Sequence, residues 1–182
     1  GMARQAPQKP KTLYVKYDDV SDQIKAGQAN IGVVVDAQVN GKTSQFLIIS
    51  DNNSQIVDIV KLEPNKTLSL DQPVMIFGKG EPLDSKYYTA NGKAYELMSE
   101  TRDHATLSAM YDGEFGKRTS GLTAYERKEV TAYALSMLDS SLISDKPGDK
   151  EALISYLSEV EKKYIEAKQG FEISSPTSQN NY

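Results

Sequence analysis

The fold class that this chain of 182 residues predicts is α+β: an antiparallel β-meander over residues 12–111, curled into a small barrel or sandwich, followed by a helical hairpin at 122–170. The meander is expected to hold about five or six strands. Three observations predict it. Asn40-Gly41 stands between two β-branched runs, the strongest short-range signal for a hairpin, because a type I′ turn needs positive φ at both central residues. Asn91-Gly92 repeats that chemistry. Beyond Gly121 the apolar period changes from two to about 3.6 residues, the step from strand to helix. The organisation that follows is a disordered arm at 1–11, an antiparallel β domain at 12–121, a helical hairpin packed on the sheet at 122–170 and a disordered tail at 171–182.

Residues 1–11 are polar and carry Pro7 and Pro10, so they are expected to fray. Leu13–Tyr17 reads as a short strand, and Asp18–Gly27 as one or two helical turns with acidic residues at the N-terminal end and Gly27 as a stop. The central hairpin, Ile31–Val39 and Lys42–Ser50, has its register set by the two-residue turn. Val39 faces Lys42, Val35 faces Phe46, Val34 faces Leu47 and Val33 faces Ile48. Side chains alternate across a strand, so Ile31, Val33, Val35, Ala37, Phe46 and Ile48 share a first face. Val34, Leu47 and Ile49 share the second with Asp36, Gln38, Thr43 and Gln45. A sheet covering a single core alternates cleanly, so a hairpin base that is apolar on both sides is expected to be covered on both, by a second layer or by another subunit. The helices are natural candidates for the second face.

Asp51–Ser54 is turn chemistry, and Gln55–Leu62 a third strand. A two- or four-residue loop sets Ile49 against Ile56, Ile48 against Val57 and Phe46 against Ile59, which extends the first face by Val57 and Ile59 and the second by Ile56 and Val60. Asp58 then falls on the second face and needs solvent or a hydrogen bond. Val74–Phe77 is a strand ended by Gly78-Lys79-Gly80. Tyr87–Ala90 and Lys93–Met98 form the second hairpin, with Tyr88 opposite Tyr95. Ala105–Tyr111 alternates weakly enough to be a last strand.

Thr123 and Glu126 fit a capping box at the head of a helix over Ala124–Leu138. Tyr125, Val130, Tyr133, Ala134, Met137 and Leu138 are its expected apolar stripe. A second helix at about 150–169 carries Leu153, Leu157, Val160, Tyr164 and Ala167, with Gly170 as its stop. Helices joined by so short a loop pack antiparallel.

Composition narrows the function. Without cysteine there is no disulfide frame, no thiolate nucleophile and no cysteine-based metal site. The net charge of −4 is spread evenly and no segment gathers Lys and Arg, which weighs against the counterion-releasing contact that nucleic acid rewards. No run approaches the roughly 18 apolar residues of a membrane span. Gly1 before Met2 reads as a remnant of expression, so a removed leader stays open while the cytoplasm is the expected compartment.

The only histidine, His104, stands beside Asp103 and Glu100. Either carboxylate could orient the imidazole as a general base, which would make a metal-dependent hydrolase; a lone histidine without a spaced partner is no metal motif. Gly78-Lys79-Gly80 offers backbone N–H groups and an ammonium to a phosphate but lacks the Walker spacing. Tyr88 and Tyr95, with Tyr14, Tyr17 and Tyr87, would serve as a stacking platform for single-stranded nucleic acid, with Lys79 and Lys93 against its backbone. Cross-strand tyrosines also stabilise sheets with no ligand. Asp18, Asp19, Asp22, Asp51, Asp112 and Glu114 lack the spacing of a calcium loop. The expectation is therefore a non-catalytic binding or assembly module acting through a protein partner or self-association, without cofactor. The alternatives are a small-barrel nucleic-acid binder and a hydrolase centred on His104.

Overall fold

The computed structural model describes residues 30–51, 53–63, 67–70, 74–77, 87–90, 93–96, 109, 112, 122–144 and 146–174. Their strands form two open sheets. The larger has four strands, β1 (Asn30–Val39), β2 (Lys42–Ser50), β3 (Ile56–Leu62) and β5 (Val74–Phe77), in the order β3-β2-β1-β5. The smaller has β4 (Thr67–Leu70), β6 (Tyr87–Ala90) and β7 (Lys93–Glu96) in the order β4-β6-β7. Among the described residues the strands are followed by the helices α1 (Ala124–Ser136) and α2 (Pro147–Ser174), separated by a short 3-10 turn at Ser140–Leu142. The class is α+β.

The β1–β2 hairpin has the expected register, Val39 opposite Lys42 through Ile31 opposite Ser50. Asn40 and Gly41 take φ of 53° and 75°, as a type I′ turn requires. The two-sided base is also found: Val34, Leu47 and Ile49 on one face are as buried as Val33, Phe46 and Ile48 on the other. Both faces are covered within the chain itself, so the sheet does not demand a partner. Gly32 sits where three side chains converge, and a Cβ there would lie 2.7 Å from Leu47 Cδ1 and 3.0 Å from Val74 Cγ1.

The sheet is not a pure antiparallel meander. β5 pairs with β1 in parallel, Asn30 beside Val74 through Val33 beside Phe77, and β4 pairs with β6 in parallel, so two chain crossovers replace hairpin connections. The main sheet thus has four strands, mixed in direction, in place of a longer meander. Residues 67–70, which carried no strand signal beyond Leu68 and Leu70, become strand through pairing. Tyr88 does stand opposite Tyr95 in the β6–β7 hairpin.

β3 pairs two residues out of the expected register, with Ile49 opposite Asp58 and Ile48 opposite Ile59. The cause is local. Ser54 N–H bonds Asp51 O and Asp51 N–H bonds Gln55 O, which makes a loop ending in Ser54 at φ 63°, one residue longer than a two-residue loop. A bulge between Ile49 and Ser50 then absorbs Val57 as a second extra residue. Two extra residues restore parity, so Ile59 and Val60 keep their expected faces. Ile56 and Val57 exchange roles: Ile56 is buried, and Val57 is 43% exposed.

α1 packs against β1 and α2, and α2 also against β3. β1 and β3 are separated by one strand, about 9.6 Å, which is an interhelical distance, so the two helices fit side by side over alternate strands. Asn40 donates to Ser140 Oγ, which carries the end of α1 to the hairpin tip. At that tip Ala37 and Val39 are buried while Asp36 and Gln38 are exposed, which assigns α1 to the first face, not the second.

Each helix buries only part of the expected stripe: Val130, Ala134, Leu153 and Leu157 are buried as expected, with Leu138 and Val160 partly so. In α1 the buried residues are Ala124, Arg127, Val130, Thr131, Ala134 and Leu135; Tyr125, Tyr133 and Met137 point outward. In α2 Leu153 and Leu157 are buried with Glu161, whereas Tyr164 and Ala167 are exposed. α2 also runs through Gly170 to Ser174, so Phe171–Ser174 are helical where a tail was expected. Of 105–111, expected as a strand, the one described residue, Ala109, is helical. Leu13–Tyr17 and Asp18–Gly27 lie outside the described residues.

Candidate functional site

The elements meet where the β2–β3 turn, α1 and α2 converge. α1 begins there because three acceptors take its first N–H groups. Thr123 Oγ1 accepts from Glu126 N, Glu126 Oε1 accepts from Thr123 N in return, and Asp112 Oδ1 accepts from Ala124 N at 2.7 Å. This is the expected capping box, with a carboxylate added at the positive end of the helix. One turn later Arg127 points inward and is 1% exposed.

Its guanidinium holds three elements together. Nε and Nη2 each donate at 2.9 Å to the two carboxylate oxygens of Glu161 in α2, a bidentate pair. Nη1 donates to Ser54 Oγ at 3.2 Å and Nη2 to Ser54 O at 2.6 Å, which ties the strained left-handed Ser54 of the turn to both helices. Such a pair is costly to desolvate and holds only when its geometry is good. Arg127 is enclosed and Glu161 nearly so, at the edge of the groove described below, and both are spent on this pairing, so the chemistry anchors.

A second, exposed cluster closes the same end. Tyr164 Oη donates to Glu126 Oε2 at 2.8 Å, and Lys168 Nζ lies 3.2 Å from Oε1 and 3.1 Å from Oε2. Desolvation pushes the Glu126 carboxyl up, but the bonds from Thr123 N–H, Tyr164 and Lys168 together hold it below the usual value. The Tyr164 hydroxyl is raised in turn, first because it donates to Glu126. On the far side Tyr156 Oη donates to Ala134 O, and Lys150 reaches Asp58 at 3.0 Å. Asp58, expected to need a partner, has two, since the same oxygen accepts from Ile59 N.

A groove of about 720 Å³ lies beside the Arg127 anchor. Its walls are Ser54, Gln55 and Ile56 at the start of β3 and a row along α2 from Ser155 to Gln169 that includes Glu159, Lys162 and Glu166. The outward face of α1 is the other unusual surface. Tyr125, Tyr133 and Met137 are 61%, 64% and 65% exposed, and Leu142 follows at the 3-10 turn.

Few of the expected site residues are reached by the described structure. Glu100, Asp103, His104, Lys79, Tyr14, Tyr17, Asp18, Asp19, Asp22 and Glu114 lie outside it. Tyr87, Tyr88, Tyr95 and Lys93 occupy strand positions in β6 and β7. Asp51 is committed to its turn, accepting from Asn53 N and Gln55 N, and Asp112 to the α1 cap. Among the described residues no three His, Cys, Asp or Glu side chains gather as a metal site, and no helix is long and apolar enough to cross a membrane.

Arg127 and Glu161 were not singled out from the sequence. The available signal was a charge inside an apolar row on each helix: Arg127 in line with Ala124, Val130, Thr131 and Ala134, and Glu161 in line with Leu153 and Leu157. Opposite charges so placed on adjacent antiparallel helices are each other's natural partner.

Comparison with known proteins assigns no family. No family model, curated protein or solved structure matches this chain.

Proposed function

We propose that this chain is a non-catalytic binding module whose protein–protein contacts are made by the outward face of α1. The observation that carries the reading is the exposed row of Tyr125, Tyr133 and Met137. Tyr133 and Met137 stand one turn apart, with Tyr125 two turns before Tyr133 and exposed Glu129 between them, and several large apolar side chains turned out on one side of a helix are more informative than a single exposed one. Tyr and Met are also the types that interfaces favour, one amphipathic and rigid, the other adaptable. Their exposure follows from the fold: Arg127 and its neighbours take the inward side of α1, which turns the aromatic side out. Support therefore comes from the helix and no longer from the two-sided sheet. The nucleic-acid and His104 alternatives gain no observation from the described residues.

The test is affinity capture from cells that make the protein, comparing the native chain with a Tyr125→Ser, Tyr133→Ser, Met137→Ser variant whose circular dichroism is unchanged. The reading expects the native chain to retain a defined protein that the variant loses. Equal retention by both, or retention of nothing by either, would contradict it.

A further inference from the structure

We infer that the partner of the outward face of α1 is a second copy of this chain, crossing it antiparallel about a two-fold axis; this rests on the reading of that face as the contact surface.

Shape is the first ground. Tyr125, Glu129, Tyr133 and Met137 are all exposed and follow one another at four-residue steps, so they form a continuous ridge along α1. The adjoining row is low. Ala132 and Ser136 are small, and Ser136 Oγ folds back to donate to Tyr133 O at 2.6 Å, which leaves no free hydroxyl donor when the face is covered. Four-step ridges of two helices interlock at a crossing of about 50°, the ridge of each lying in the groove of the other. α1 carries both halves of that match, and a surface that complements itself closes about a two-fold axis.

Charge fixes the sense of the pair. A parallel crossing would bring Glu129 against Glu129 of the second copy, two like charges in a face that is losing its water. An antiparallel crossing, centred at the level of Thr131 midway between Tyr125 and Met137, sets Glu129 against Tyr133 of the copy instead. Each carboxylate then accepts from a phenol, the pairing that Glu126 and Tyr164 already make between α1 and α2. At both ends Tyr125 meets a Met137 thioether, a favourable contact for an aromatic ring.

Area sets the strength. Tyr125, Tyr133 and Met137 are 61%, 64% and 65% exposed, so they offer roughly 400 Å² per copy, and the residues between them bring the pair to about 1,100 Å² in all. That just clears the size of a biological interface and lies below the standard one, which places the dimer in the micromolar range.

Sedimentation equilibrium of the full chain is the test, with circular dichroism checking that each variant is folded. The native chain is expected to dimerise reversibly with a Kd of about 1–100 µM. Tyr133→Glu, which opposes two carboxylates, is expected to weaken the dimer at least about tenfold. Adding Glu129→Lys to it is expected to regain most of that loss, because position 129 faces position 133 of the other copy in the antiparallel sense alone. Glu151→Lys, exposed on α2, should change nothing. A dimer that Tyr133→Glu leaves intact, or a double variant no tighter than Tyr133→Glu, would overturn the proposal. So would a native chain that stays monomeric to about 1 mM. The contact reading can survive that result, since capture would then retain a different protein, whereas the second copy requires the retained protein to be an untagged copy of this chain.

Discussion

Removing Glu161 should do more harm than removing the residue it binds. In Glu161→Ala the Arg127 guanidinium stays behind at 1% exposure, with Ser54 as its remaining partner of the bonds described above. Breaking a buried pair from one side costs about 3–5 kcal/mol, because the surviving charge is left without its counterion. In a chain of this size that corresponds to a fall in Tm of about 6–20 °C. Arg127→Met should cost less. Glu161 lines the groove and can regain water when its partner is gone, whereas Arg127 cannot. Arg127→Met with Glu161→Leu should recover much of the Glu161→Ala loss, since apolar replacements of similar volume remove both desolvated charges at once. Urea denaturation followed by circular dichroism gives the three free energies by linear extrapolation. A Glu161→Ala loss under about 1 kcal/mol would refute the reasoning, because that is the range of an exposed pair. So would a double variant no more stable than the single one.

Other outcomes follow from single positions. Gly32→Ala should destabilise by about 1–3 kcal/mol in the same assay, because its Cβ would press on Leu47 and Val74 in a closed core. Thr131→Val should stabilise by about 1 kcal/mol, since among the described residues the Thr131 hydroxyl is the buried side-chain atom with no hydrogen-bond partner; a loss would mean that the hydroxyl is bonded. Glu126 is held below its ordinary value of 4.5 in the folded chain, so its contribution is complete above that value and lost as pH falls through the lower, folded one. Glu126→Gln should therefore be less stable than the native chain at pH 7, and the gap should close on acidification below about 4.5; a gap that widens would contradict the assignment.

What could be read from residues alone is what short-range chemistry decides. Asn40-Gly41 permits one turn, and the turn sets every pair from Val39 and Lys42 to Ile31 and Ser50. Thr123 and Glu126 define a helix start through contacts three residues apart. Direction and register beyond the turns were not legible, because they depend on distant partners. Nothing in Val74–Phe77 distinguishes a strand parallel to β1 from one antiparallel to it, and Ser54 adopts a left-handed φ that its residue type does not announce. The helix faces were legible only in part, with Val130, Ala134, Leu153 and Leu157 buried as expected, for a related reason. Hydrophobicity placed Tyr125, Tyr133 and Met137 inside, but a complementary buried charge on α2 drew Arg127 inward and rotated them out. The same rotation turned three core candidates into the candidate contact surface.

That surface is tested most directly by placing the photoreactive benzoyl-phenylalanine at Tyr133 and irradiating cells that make the protein. A discrete covalent adduct with another protein is predicted, lost when Tyr125→Asp and Met137→Asp are added. Absence of any adduct, or the same adducts when the photoreactive group stands at exposed Glu151, would contradict a role for the outward face of α1.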